Sequence, residues 1–143
     1  MSGLEFLRAI IDGRIPQAPM CQTLQFWLVE AGEGVAVFEG ESSAALLNPM
    51  GSVHGGWALT LLDSAAGSAG HSTLEPGSAY ATLETRGHMT RAITPTTGRV
   101  RAEARVVTRG RRVIVTEATL GSGEGKILAH GTSTLLVVPV RAR

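Results

Sequence analysis

Apolar positions along the chain change period three times. In "SGLEFLRAIIDGR" Leu4, Leu7, Ile10 and Ile11 recur at helical spacing, with Ser2 placed to cap and Gly13 to stop a short amphipathic helix. "IPQAPM" is a Pro-bearing connector, and "TLQFWLVEAGEGVAVFEGE" then alternates as two strands joined around Gly32 to Gly34. A second helix is predicted from about Gly55 to His71. Leu59, Leu62, Ala66 and Ala69 form its core face, widened by Ala58, Leu61 and Ala65. After it, "AYATLETRGHMTRAI", "GRVRAEARVVTRG", "RRVIVTEATLG" and "KILAHGTSTLLVVP" are four strand-like segments expected to form an antiparallel meander. A mostly apolar helix flanked by six strands predicts an α+β fold: a curved antiparallel sheet wrapped around a central helix, with a short N-terminal helix. Nothing marks a linker or repeat, so residues 1–143 are expected to be a single domain.

Within the central helix a second stripe, Gly56, Thr60, Asp63 and Gly67, is small at every position except the carboxylate. Something is expected to approach the helix closely there. Gly55 and Gly56 stand at the helix start, where early N–H groups lack intrahelical acceptors and carry the positive end of the dipole. An N–H donor together with a carboxylate can serve the hydrolysis of an electrophilic carbonyl. The donor stabilises the oxygen that becomes negative, and the carboxylate attacks or activates water. Gly55 is the predicted oxyanion donor and Asp63 the predicted carboxylate. His54 is expected to orient the loop and line the site, since its cation is disfavoured beside the dipole. Asn48 either holds the substrate carbonyl or the water, or forms an Asn-Pro turn. Trp57 either stacks on an aromatic acyl group or packs at the helix start.

The order of elements together with Asn48-x5-His54-Gly55-Gly56-x6-Asp63 resembles the hotdog-fold acyl-CoA thioesterases of the phenylacetate-pathway and 4-hydroxybenzoyl-CoA type. The likeness runs from the first strand to "LLVVP". It implies the same roles for Gly55 and Asp63, with Asp63 as nucleophile or general base. It also implies a Ser or Thr near the carboxylate on the strand after the helix, which falls on Thr82 in "ATLET", and Glu84 ranks well below Asp63 as a rival carboxylate. Dimers or pairs of dimers with shared sites are implied as well, so a homodimer assembled into a homotetramer is expected.

The remaining features adjust this reading at its edges. A net charge of +1 argues against a general nucleic-acid binder. No apolar run approaches a membrane span and no signal-peptide pattern opens the chain, so a cytoplasmic location is expected. Cys21 stands alone, and His71, His88 and His130 are scattered, so neither an intrachain disulfide nor a metal site is expected. No cofactor is expected beyond the coenzyme A of the substrate. "TRGRRV" places Arg109, Arg111 and Arg112 at a turn, as ligands for coenzyme A phosphates or as a charged hairpin tip. Two other functions compete with acyl-CoA hydrolysis. One is a hydratase or dehydratase of the same fold; the other is a non-catalytic acyl-CoA sensor or assembly module.

Overall fold

The computed structural model describes residues 1–140. Helix α1, Gly3–Ile11, begins with a capping box: Ser2 Oγ accepts the Glu5 N–H at 3.2 Å, and the Ser2 N–H donates to Glu5 Oε2 at 2.6 Å. The Gly3 N–H donates to Leu74 O, which ties α1 to the chain just past the central helix. A one-and-a-half-turn helix α2, Pro19–Leu24, occupies part of what the pattern assigns to connector and strand. Proline at its first position needs no N–H partner, so the helix forms without the periodicity that would announce it.

Strands β1 (Phe26–Gly32) and β2 (Val35–Glu41) make the expected hairpin. The central helix α3 runs Gly55–His71 and is followed by β3 (Ser78–Met89), β4 (Arg99–Arg109), β5 (Val113–Ser122) and β6 (Ile127–Pro139). The six strands form one antiparallel sheet ordered β1-β2-β4-β5-β6-β3. This corrects the simple meander: β4, β5 and β6 follow one another, but β3 crosses to pair with β6 and becomes an edge. Neighbours in sequence usually pair, and the pattern contains nothing that overrides that default.

Helix α3 packs on this sheet with Ala58, Leu61, Leu62, Ala65, Ala66 and Ala69 buried. Facing them are Ala36 and Phe38 of β2, Val100 and Ala102 of β4, Ala118 and Leu120 of β5, and Ala129 of β6. Each fully buried Leu contributes about 1.5–3 kcal/mol, so the helix is held as a rigid rod.

In β3, Thr82 pairs with Leu135 and Glu84 with Thr134, leaving Leu83 as an extra residue. This bulge reverses the alternation of faces along the strand. Tyr80 packs toward α3 before it; Thr85 and Gly87 do so after it. The site depends on that reversal.

Candidate active site

The loop before α3 is shaped by Asn48. Its Oδ1 accepts the N–H groups of Met50 (2.9 Å) and Ser52 (3.3 Å), and its Nδ2 donates to Ser52 Oγ at 3.0 Å. A one-pair bridge between Leu47 and Val53 closes the loop. The turn reading of Asn48 therefore describes its carboxamide oxygen, while one Nδ2 hydrogen is left over.

His54 caps α3. Its Nδ1 accepts the Gly56 N–H at 2.9 Å, and its carbonyl accepts the Trp57 N–H at 3.0 Å. Nδ1 is an acceptor here and carries no proton, as befits an imidazole that orients the loop. A Cβ on Gly56 would sit 2.9 Å from Nδ1, so glycine is what lets the ring fold back. With the Gly56 N–H taken by His54, the Gly55 N–H is the first-turn donor that has no acceptor among the described residues. It borders a cavity of about 350 Å³ lined by Asn48, Ala58, Met89 and Arg91 among others.

Asp63 lies half-buried two turns along α3. Its Oδ1 accepts the Thr85 hydroxyl at 2.7 Å, and Thr85 Oγ1 is 2.9 Å from Ser133 Oγ. Thr85 has one hydroxyl hydrogen and gives it to the carboxylate, so Ser133 must be the donor to Thr85. The result is a chain, Ser133 to Thr85 to Asp63, that aims one carboxylate oxygen. No Lys, Arg or His pairs with Asp63 among the described residues. Thr82, the hydroxyl expected beside Asp63, is exposed and makes no hydrogen bond to it among the described residues; the bulge at Leu83 moves the next inward position from Glu84 to Thr85, which makes that bond. Glu84 is likewise exposed, 3.9 Å from Arg86.

Beyond Asp63 the small stripe is partly covered by the chain itself. Tyr80 presses on Gly67 so closely that a Cβ there would lie 2.5 Å from its hydroxyl. The expected close approach is thus made at Gly67 by Tyr80, and the helix stays open on this stripe only around Gly56, Thr60 and Asp63. A cavity of about 200 Å³ runs beside this half of α3, between Ser64, Ser68, His71, Tyr80, Phe6 and Phe38. Burial, helped by the charge of Asp63, raises the Tyr80 hydroxyl above its ordinary pKa; burial lowers that of His71. The cavity wall therefore carries a neutral imidazole and a neutral phenol.

Residues 50–129 match the thioesterase superfamily. The chain belongs to that family. The thioesterase superfamily supplies the enzyme class, thioester hydrolase, and the curved sheet on a long helix is its hotdog fold. A conserved protein of Pseudomonas aeruginosa is 32% identical and superposes with a TM-score of 0.78, covering 85% of this chain and 94% of its own. A phenylacetic acid degradation-related protein of Ralstonia eutropha is 28% identical with a TM-score of 0.82, covering 92% and 98%. A thioesterase family protein of Silicibacter pomeroyi is 26% identical with a TM-score of 0.83, covering 94% and 99%. Comparison with curated proteins gives no match.

In this thioesterase two groups of predicted residues make contacts of their own with the protein. Trp57 is 4% exposed, and its indole N–H donates to Leu24 O at 2.8 Å. It packs α3 against α2, which is the packing alternative of the sequence reading. Arg109 donates through Nε to Thr73 Oγ1 at 2.9 Å and also bonds Gly110 O, which places the Arg109, Arg111 and Arg112 turn at the C-terminal end of α3. Seventeen residues of helix, roughly 25 Å at 1.5 Å per residue, separate that end from Gly55. No group of three or more His, Cys, Asp or Glu among the described residues is arranged to hold a metal ion, and no helix is long and apolar enough to cross a membrane.

Proposed function

We propose that this protein hydrolyses small aromatic or medium-chain acyl-CoA thioesters at a site shared between two copies of the chain. The observation that carries the reading is the unaccepted Gly55 N–H at the head of the helix that also carries an aimed carboxylate. In this scheme the Gly55 N–H of one chain takes the developing negative charge of the thioester oxygen. Asp63 of the second chain attacks the carbonyl or takes a proton from attacking water. The carbon–sulfur bond breaks, the acid leaves with the water oxygen, and the thiolate takes up a proton to leave as free coenzyme A.

Two copies are required because Gly55 and Asp63 are eight residues apart on one rigid helix, about 12 Å along the axis. The free edge of β3 supports the pairing. It is a 12-residue edge strand without Pro, with Leu83 60% exposed, and long exposed edges are normally covered by a partner strand. Antiparallel pairing of two β3 edges across a two-fold axis sets the two α3 helices side by side, and two such dimers would make the expected tetramer. The cavity beside Ser64, Ser68 and His71 suits the acyl group, since an apolar cavity of roughly 150 Å³ holds benzene. No histidine is hydrogen-bonded to a carboxylate among the described residues, which favours hydrolysis over the hydratase alternative.

The test follows free thiol released from a panel of acyl-CoAs. Asp63→Asn is expected to leave a folded oligomer and lower kcat by about 100-fold or more. Mixing it with Gly55→Pro, a substitution tolerated in a first turn, should restore about a quarter of wild-type activity after random subunit exchange. Saturable acyl-CoA binding without thiol release would establish the sensor in its place. A mixture that exchanges subunits and stays inactive refutes the shared site.

A further inference from the structure

Alternation counted from Tyr80 would turn His88 of β3 toward α3, but the bulge at Leu83 reverses it. Thr85 and Gly87 take the inner face, and His88 stands exposed on the outer one. On β6, Leu128 and Ala129 are buried in the core and His130 is exposed. The register pairs His88 directly with His130, so the crossing of β3 to β6 sets two histidines that are scattered in sequence opposite each other on one rung of the sheet. Their ring centroids are 5.3 Å apart and their planes 25° from parallel.

The pair borders a cavity of about 520 Å³ on this outer face, whose other walls include Arg86, Glu117, Thr119 and Thr132. His54 is the one histidine whose ring takes part in a side-chain hydrogen bond among the described residues, so the ring nitrogens of His88 and His130 have no protein partner there. The neighbouring charges are already matched: Glu117 pairs with Arg105, and Arg86 stands 3.9 Å from Glu84. What remains is two free imidazoles on the wall of one open hollow.

We propose that His88 and His130 chelate a late first-row divalent ion, copper(II) or zinc, which clamps the edge strand β3 to β6. Imidazole nitrogen suits both ions. At a Zn–N distance of about 2.0–2.1 Å a bound imidazole has its ring centre about 3.2 Å from the ion, and two such rings at the tetrahedral angle are roughly 5.2 Å apart. The spacing of His88 and His130 already meets that requirement. Near-parallel rings do not aim their lone pairs at one point, so the rings must turn about χ2, which is a broad torsion in histidine. No third His, Cys, Asp or Glu among the described residues joins the pair, so water completes the coordination and the site is weaker than a closed structural one. Within the chain β3 is held by β6 alone, and His88 follows Thr85 by less than one more turn of the alternation, so an ion shared with β6 fastens the stretch of strand that aims Asp63. The pair lies on the opposite face of the sheet from α3, and the clamp is independent of the thioester chemistry.

The test uses the untagged full chain in a non-coordinating buffer at about pH 8, since imidazole ligates only in its neutral form. Calorimetric titration with copper(II) and with zinc should show one ion bound per chain. His88→Gln and His130→Gln should each weaken binding by at least the roughly tenfold that even changes outside the ligand set cost. Saturating zinc should raise the Tm of the wild type by several degrees and leave that of the double variant unmoved. Copper(II) below one equivalent should broaden the imidazole proton resonances of His88 and His130 before those of His54 and His71, a readout that needs no variant. No binding at millimolar ion, single variants that bind as tightly as wild type, or broadening that begins at another histidine would each overturn the site. Binding that leaves the wild-type Tm unmoved overturns the clamp.

Discussion

Thr85 offers a sharp test of how Asp63 is held, because Thr85→Val removes one oxygen and nearly preserves shape. Two consequences follow from the chain of hydroxyls. Asp63 Oδ1 loses the hydrogen bond at 2.7 Å, and Ser133, 2% exposed, loses the acceptor for its proton. A hydrogen bond to a charged group is worth about 1.5–3 kcal/mol. Asp63 is half-buried and water can replace part of that loss, so the lower end applies. At about 1.4 kcal/mol per factor of ten, kcat should fall roughly tenfold with KM changed less than about twofold. The stranded Ser133 hydroxyl should lower stability by about 1–2 kcal/mol, a few degrees in Tm for a domain of this size. Thr85→Ser, which keeps the oxygen, should recover most of both. Thr82→Val should cost neither, since that side chain is exposed. Steady-state kinetics on one acyl-CoA and thermal melts of the four proteins suffice. A Thr85→Val enzyme with wild-type kcat, or a Thr85→Ser enzyme as slow as Thr85→Val, would refute the idea that this hydroxyl aims the carboxylate.

Two further predictions concern residues near the site. Trp57→Phe leaves Leu24 O without its donor and should lower Tm by several degrees, on the order of 1–2 kcal/mol, while KM for aryl and alkyl thioesters stays the same; a rise confined to aryl thioesters would show that the indole meets substrate. Burial holds His71 below its ordinary 6.5, so the unfolded chain takes up the proton first as pH falls. Its contribution to stability is therefore complete above about pH 6.5 and declines below it, until the folded imidazole protonates too; melts of His71→Phe should lose that part of the acid slope, and a slope identical to wild type would refute it.

The sequence made α3 and Asp63 visible for the same reason. A long apolar run that opens on two glycines has the period of a buried helix, and a single carboxylate inside it stands out against that background. The structure places both helix ends where the pattern does. Thr85 was invisible because strand alternation counts from Thr82, and a bulge inserted by backbone geometry leaves no mark in a two-residue period. Helix α2 was hidden because six residues are too few to display a helical period. The turn that carries three arginines in four positions meets the C-terminal end of α3, a placement that charge density along a chain does not reveal.

The crossing of β3 to the β6 edge accounts for how much of the proposed chemistry one strand governs. On its inner face β3 supplies Thr85 to the carboxylate and Tyr80 to the wall beside it. At its end Met89 abuts Gly55, the proposed oxyanion donor. Its outer edge is the one left open for a second copy. The helix is too rigid to bring its own Gly55 and Asp63 to one carbonyl, because roughly 12 Å of α-helix cannot be compressed. In the proposed dimer the distance is closed by symmetry, and the strand that would create the symmetry is the strand that aims the carboxylate. A shift of β3 in its pairing with a partner would therefore move Thr85 and Met89 along with the interface. The proposed shared site thus couples assembly and catalysis through a single strand, so that a chain which keeps its core and its buried α3 face would still lose the site.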